Sequence, residues 1–252
     1  MKKIFLRSVL IVALIVAWET AARVHVVSPF LLPAFSTVLR RLYTETVSLQ
    51  LPVGLGLSIY RSLVGFALAA VLGVAIGILI ARVNSARWFF DPLVSIGMPM
   101  PKIAFLPIFV LWFGVFDESK ILMVAFSSVF PVIVAAWAGT ENVERLLLWS
   151  ARSLGASDRG LLWEVALPAA FPQIMTGLQV ALPIAMVTDI VAEMAMGGQG
   201  LGGDMMQAMR FADSPGVFAG ILAIAIAGSA LVKAMELIRR RLLVWHAEAE
   251  HA

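Results

Sequence analysis

Long stretches that are almost free of charge dominate this sequence. In residues 57–81 the single charged side chain is Arg61, and a helix of this kind can cross a lipid bilayer, which takes about 20 apolar residues. Five more stretches resemble it, which makes the candidate spans residues 4–22, 57–81, 93–116, 121–139, 171–196 and 217–238. The chain of 252 residues is 61% hydrophobic and 14% charged, far too apolar for a soluble domain. We therefore predict an all-α membrane protein with six transmembrane helices.

The first candidate span follows a basic start, MKKIFLR, so a cleavable signal peptide is the alternative. No small-residue cleavage site ends the segment, and five further spans follow it. We therefore expect an uncleaved first span, with the Arg7 side chain reaching back to the membrane interface.

The distribution of basic residues predicts the orientation. With the N-terminus inside, 12 of the 19 Lys and Arg residues fall in inside segments. These are Lys2, Lys3, Arg7, Arg82, Arg87, Arg145, Arg152, Arg159, Lys233, Arg239, Arg240 and Arg241. The positive-inside rule then places both termini in the cytoplasm. The net charge of +3 thus reports membrane orientation, and we expect no nucleic-acid partner.

Several function classes lack the residues they need. The chain has no cysteine and three scattered histidines, so we expect no metal site. It contains no G-x-x-x-x-G-K-[ST] phosphate loop, and no nucleophile, base and orienting group can be assembled, so no catalytic residues are assigned. The match to G-x-G-x-x-G at Gly198, Gly200 and Gly203 follows a membrane span and not a strand. It predicts a flexible outer loop over residues 197–203.

Small residues recur every fourth position in the second span. Gly65, Ala69, Gly73 and Gly77 share one face, which lets another helix approach closely. Packing within one chain and packing between two subunits both fit this pattern.

Proline interrupts the third span at Pro99, Pro101 and Pro107. Each proline removes a backbone donor, which is tolerated in a membrane only where protein or water satisfies the freed carbonyls. A broken helix that lines an internal path and a simple kink in a packed bundle are both compatible with this pattern.

Four charged side chains lie at membrane depth: Arg61, Lys102, Asp189 and Glu193. Such charges usually face a bundle interior or a water-filled cavity. From their depths we predict that Arg61 pairs with Glu193 and Lys102 with Asp189. A structural role for these pairs and a contact with a transported solute both remain open.

The loop between the fourth and fifth spans, residues 142–168, is the longest polar interruption on the inner side. Val143 to Leu154 can be helical, and Gly155 stands where a left-handed residue ends a helix. Ser157 can cap a second short helix with Asp158 in its first turn, and Pro168 marks the next boundary. A docking surface for a soluble partner and a plain solvated loop fit this local pattern equally.

The chain resembles the membrane subunits of ATP-binding-cassette importers, in the nitrate, sulfonate, taurine and thiamine-precursor branch. Their cytoplasmic signature is E-A-A-x3-G-x9-I-x-L-P, and Ala151, Gly155, Val165, Leu167 and Pro168 fall at its spacing. Trp149 stands at the position of the signature's Glu, so a contact by that carboxylate is not expected. The resemblance extends over Trp18-Glu19, Leu32-Pro33, Ser62–Phe66, Leu106-Pro107, Leu111–Gly114, Ala151–Ser157 and Ala192–Met194.

This resemblance implies a type I importer fold and a multi-pass protein of the bacterial cytoplasmic membrane. The chain itself would not be an enzyme, because two separate cytoplasmic subunits would bind ATP and Mg²⁺ and hydrolyse the nucleotide. Further implied partners are a second permease copy, in a homodimer, and an external substrate-binding protein. The coupling residues would be Ala151, Arg152, Gly155, Ala156, Ser157, Asp158, Arg159, Leu167 and Pro168.

The transported solute would be a small organic or inorganic anion such as nitrate, a sulfonate or taurine, or a thiamine precursor. The main alternative is a secondary transporter or channel subunit. That class would explain the charges at membrane depth and the prolines of the third span. It would not explain a cytoplasmic helix pair at the signature spacing.

Overall fold

The computed structural model describes residues 2–244, with side chains from residue 9 onward. Helices fill most of the described part of the chain, and no strand occurs there. They are α1 Lys2–Arg23, α2 Phe35–Val47, α3 Gln50–Arg82, α4 Asn84–Gly97, α5 Leu106–Phe113, α6 Asp117–Glu141, α7 Arg145–Ser153, α8 Asp158–Met196, α9 Leu201–Arg210 and α10 Ser214–Leu242. A 3₁₀ turn, Lys102–Phe105, precedes α5, and a π-helical turn, Leu161–Ala166, lies within α8. The all-α prediction is confirmed.

Two compact units make up the fold. One contains Met1–Ser58 and Glu193–Ala227, and the other contains Ile59–Ala192 and Gly228–Ala252. In the first unit, the Trp18 indole nitrogen donates to the Pro33 carbonyl at 3.0 Å, and the ring packs on Phe35 and Phe218. These contacts hold α1 against the start of α2.

Four helices of the described residues are long and apolar enough to cross a membrane: α3, α6, α8 and α10. The predicted spans 57–81, 121–139, 171–196 and 217–238 each lie within one of these helices. The predicted span 4–22 lies within α1, and its crossing of the membrane stays a prediction.

The predicted third span, residues 93–116, corresponds to a sharply bent segment in the structure. The segment begins earlier, at Asn84, and consists of two helical parts, Asn84–Gly97 and Lys102–Phe113, that meet at an angle of 100°. The break coincides with Pro99 and Pro101, because proline lacks the donor that would continue the helix and disfavours helical backbone in the residue before it. Of the two interpretations of these prolines, a break is therefore correct and a simple kink is not.

Three glycines of α3, Gly65, Gly73 and Gly77, lie against α6 in the same chain. A Cβ on each would come within 2.7 Å of an α6 side chain: Val124 opposite Gly65, Val132 opposite Gly73, and Ala136 opposite Gly77. The contacts advance in step along both helices, so α3 and α6 run parallel. Since both helices start on the same side, the broken segment between them must carry the chain back across.

Helix α8 runs antiparallel to α6. Gly177 packs on Ala135, and Gln173, earlier in α8, packs on Gly139, later in α6. Near the end of α6, a buried cluster is formed by Ala136, Val143, Ala166, Ala170 and Ile174. This cluster supports the segment that joins α6 to α8.

Candidate functional site

The turn after α7 has the hydrogen bonds of a Schellman motif. Gly155 adopts φ +90°, and its N–H donates to the Arg152 carbonyl at 2.9 Å. The N–H of Ala156 reaches further back, to the Ala151 carbonyl at 3.0 Å. These two bonds satisfy carbonyls at the helix end, and the left-handed residue between them favours glycine. The predicted helix stop at Gly155 is confirmed.

Ser157 caps the helix that follows. Its backbone is extended and its Oγ accepts a hydrogen bond from the Gly160 N–H at 3.2 Å. Asp158 occupies the first turn, where a carboxylate is favoured by the positive end of the helix dipole. Local sequence pattern thus predicted this cap correctly.

The predicted boundary at Pro168 is wrong. Helix α8 continues through Leu167 and Pro168 to Met196, so the predicted short helix at Ser157–Trp163 is only its first part. Leu167 packs against the buried cluster beside α6. The π-helical turn immediately before Pro168 widens the backbone, and such a distortion is one way for a helix to carry a proline ring without ending.

Large apolar side chains around this turn are exposed. Trp149 is 62% exposed, Leu154 is 89% exposed and Trp163 is 69% exposed. Charged side chains accompany them: Arg152 lies 3.4 Å from Asp158, and Arg159 is exposed beside that acid. Exposed aromatic and aliphatic residues on a rigid turn can enter an apolar groove of another protein.

Arg61 contacts a residue that the sequence analysis did not consider. The buried Arg61 guanidinium lies 2.8 Å (Nη2) and 3.0 Å (Nε) from Oδ1 of Asp117, the first residue of α6. Asp117 falls between the predicted spans 93–116 and 121–139, and its position directly before an apolar segment is a signal that the sequence offers. The pairing of Arg61 with Glu193 stays a prediction.

Lys102 does not form the predicted pair with Asp189. Its Nζ donates to the Met98 carbonyl at 2.6 Å and lies 5.3 Å from the centre of the Phe130 ring. Both contacts follow from the break, because the last turn of α4 leaves carbonyls without helical donors. Asp189 is fully buried and accepts a hydrogen bond from the Ser62 hydroxyl at 3.2 Å.

A cavity of about 370 Å³ lies beside this break. Pro101, Lys102 and Ile103 form one wall. The other lining residues are Ser127 of α6 and, from α8, Pro183, Ile184, Val187 and Thr188. The lining is mostly apolar, with one charged side chain.

The Glu193 carboxylate accepts hydrogen bonds at the start of α9. The donors are the Ser58 hydroxyl at 2.8 Å and the Gly202 N–H at 2.9 Å. The Leu201 N–H donates to the Ser58 oxygen at 3.0 Å. The predicted flexible loop over residues 197–203 is therefore wrong in part, because its last three residues form the first turn of α9 around this carboxylate. Ser58 and Ser62 repeat with the four-residue spacing of Asp189 and Glu193, which was the missed sequence signal.

A smaller polar cavity, of about 150 Å³, lies beside α9. Among the residues that line this cavity, Arg41 forms salt bridges with Asp213 at 2.8 Å and with Glu45 at 2.7 Å. Burial raises the pKa of the Glu45 carboxyl, although Arg41 pulls it down. The pKa of Asp204 is also raised, first by burial and then by the charge of Glu193. This corner of the protein therefore holds two carboxyl groups, Glu45 and Asp204, whose pKa is raised by burial.

Comparison with known proteins supports a transport role. The sequence pattern of the family described as "Binding-protein-dependent transport system inner membrane component" matches residues 73–244. The taurine transport system permease protein TauC of Escherichia coli is 34% identical, over 94% of this chain and 88% of that protein. A putative aliphatic sulfonates transport permease protein, SsuC of Bacillus subtilis, is also 34% identical, over 96% and 88%. The formylaminopyrimidine transport permease protein ThiX of Halalkalibacterium halodurans is 31% identical, over 92% of both chains.

Solved structures share the fold. A chain of the MetNI methionine ABC transporter, in an inward-facing conformation, matches with a TM-score of 0.60 and 19% identity. The match covers 76% of this chain and 98% of that one. A chain of an amino acid ABC transporter matches with a TM-score of 0.66 and 16% identity, over 79% and 97%. At these identities the similarity concerns the fold alone.

Proposed function

Because this chain belongs to the family of binding-protein-dependent transport system inner membrane components and is the permease subunit of an ATP-binding-cassette importer, we propose that two copies form the translocation path in a bacterial cytoplasmic membrane. Two cytoplasmic ATPase subunits bind ATP and Mg²⁺ and supply the energy. An external substrate-binding protein delivers the solute. A secondary transporter or channel, the main alternative from sequence, is set aside by the family.

The turn between α7 and α8 docks onto the ATPase subunits in this proposal. One observation carries it: a hydrogen-bonded turn, fixed at Gly155 and Ser157, presents Trp149, Leu154 and Trp163 to solvent. A rigid apolar surface can transmit a movement of the ATPase subunits to the permease. A mobile loop would change its own conformation and transmit less of that movement. The continuous helix from Asp158 to Met196 then carries the movement into the membrane.

The solute we propose is a small organic anion, of the class to which sulfonates and taurine belong. Two supports exist. Relatives at 34% identity are named for taurine and aliphatic sulfonates, and a cationic side chain, Lys102, lines the cavity beside the broken helix.

A reconstitution experiment tests this function. The permease is reconstituted in proteoliposomes that contain ATP. An ATPase subunit and a binding protein encoded in the same genome are added to it. We expect uptake of radiolabelled taurine or an alkanesulfonate that requires both ATP and the binding protein. Uptake driven by an ion gradient without ATP, or failure of the permease to retain any ATPase subunit during purification, would contradict the proposal.

A further inference from the structure

The break between α4 and α5 creates a site whose chemistry can be specified. Over Met98–Pro101 no helix occupies the space, and α8 approaches this gap with Pro183. The resulting cavity, of about 370 Å³, falls within the range of small-molecule sites, about 300–1,000 Å³.

We propose that this cavity binds an organic anion with a short alkyl chain, with Lys102 holding the anionic group. The inference rests on the proposed function and deepens it, because it names the residue and the wall that recognise the solute. Lys102 is the one charged side chain on the lining, and no carboxylate shares that lining. The site is therefore electrostatically complementary to an anion.

The Lys102 ammonium is positioned but not saturated. Of its three N–H donors, one is directed to the Met98 carbonyl. Phe130 lies beneath the charge and helps to fix its position through a cation–π contact. The remaining donors can therefore be offered to a ligand oxygen.

Ser127 supplies a second polar contact. Its side chain is 2% exposed and lines the cavity, and its Oγ makes no hydrogen bond among the described residues. A buried hydroxyl without a partner carries a free-energy cost of about 1–3 kcal/mol, which a ligand oxygen would relieve. The neighbouring Ser128 is an internal control, because it is equally buried and also without a hydrogen bond but does not line the cavity.

The rest of the wall suits an alkyl chain. Ile103, Ile184 and Val187 provide aliphatic surface, and Pro101 and Pro183 add further apolar lining. An inorganic anion would leave this surface unfilled, and a neutral alkane would leave Lys102 without a counter-charge. An alkanesulfonate or an alkanoate uses both halves of the site.

Binding of ³⁵S-labelled butane-1-sulfonate to the purified full-length permease, measured by scintillation proximity, tests the inference. We expect saturable binding that Lys102→Met weakens at least tenfold and Lys102→Arg at most threefold. Ser127→Ala should weaken it two- to fivefold, whereas Ser128→Ala and Lys233→Met should leave it unchanged. Butanoate should compete and butan-1-ol should not, which distinguishes a general organic anion site from one that needs only the alkyl chain.

Absence of saturable binding in the wild-type permease, or equal binding by Lys102→Met, would overturn the inference. Size-exclusion profiles and thermal unfolding of each variant show whether it is folded. ATPase retention, the readout for the proposed function, does not involve Lys102. The inference and the function can therefore fail separately.

Discussion

A Cβ placed on Gly200 would lie 2.2 Å from Oε1 of Glu193. The glycine also adopts φ +137°, a backbone conformation that other residues rarely adopt. The position of the buried Glu193 carboxylate thus requires a glycine at residue 200.

Gly200→Ala should destabilise the protein by about 2–4 kcal/mol, because it adds backbone strain and displaces the Glu193 carboxylate. Thermal unfolding in detergent measures this loss. Gly56→Ala is the matched control, since its Cβ would meet nothing within 4 Å and alanine favours the helix by about 0.5–1 kcal/mol. Equal unfolding temperatures for the two variants would contradict the fit between Gly200 and Glu193.

Substitutions at Gly155 should weaken docking in the order Asn, Ala, Val. Its Cβ would meet no atom within 4 Å, so the penalty comes from φ +90° alone, and it is about 1–2 kcal/mol for a non-glycine residue but smaller for Asn. The readouts are retention of the ATPase subunit and ATP-driven uptake, with membrane insertion unchanged. Gly160→Ala serves as the control, because its Cβ would sit at ordinary contact distance. A Gly155→Val variant with full uptake would count against the docking role.

Loss of the Ser157 cap should loosen the first turn of α8. Ser157→Ala removes the acceptor for the Gly160 N–H, which costs about 1 kcal/mol. Hydrogen exchange followed by mass spectrometry should therefore quicken over residues 158–161. Ser153→Ala makes a suitable comparison, since that hydroxyl only donates back to the Trp149 carbonyl within α7. Identical exchange in both variants would show that the cap is dispensable.

Asp204 should make stability fall as pH rises. Its folded-state pKa is raised above the ordinary 3.8 by burial and then by the Glu193 charge, so the folded protein binds the proton more tightly than the unfolded chain. The resulting stabilisation is complete below about pH 4 and is lost as the pH rises through the raised pKa. Asp204→Asn should flatten this dependence and raise the unfolding free energy at pH 8.

Chemical or thermal unfolding at a series of pH values between 4 and 8 measures that dependence. Asp158→Asn offers a control carboxyl, because its side chain is 94% exposed. A wild-type profile that Asp204→Asn leaves unaltered would contradict the assignment.

Features encoded over a few residues were predicted well from the sequence. The stop at Gly155 and the cap at Ser157 depend on neighbours within five positions, and the glycine face of α3 follows from helical spacing alone. Pro168 misled the prediction, because a π-helical turn accommodates a ring that an ideal helix rejects.

Long-range pairing was harder to predict. Depth in the membrane suggested Asp189 as the partner of Lys102, but depth says nothing about the direction in which a side chain points. The 100° bend turns Lys102 toward the end of α4 and the ring of Phe130. Arg61 likewise contacts Asp117, because α6 begins at that residue, four positions before the predicted span 121–139.

The in-step register of α3 and α6 restricts how this protein can change shape. Gly65, Gly73 and Gly77 of α3 each leave room for one particular α6 side chain. Sliding the helices past each other would therefore bring larger α3 residues against Val124, Val132 and Ala136. We expect the two helices to move as one rigid block. Conformational change during transport then has to be accommodated at other joints, and the break at Met98–Pro101 is placed for that purpose.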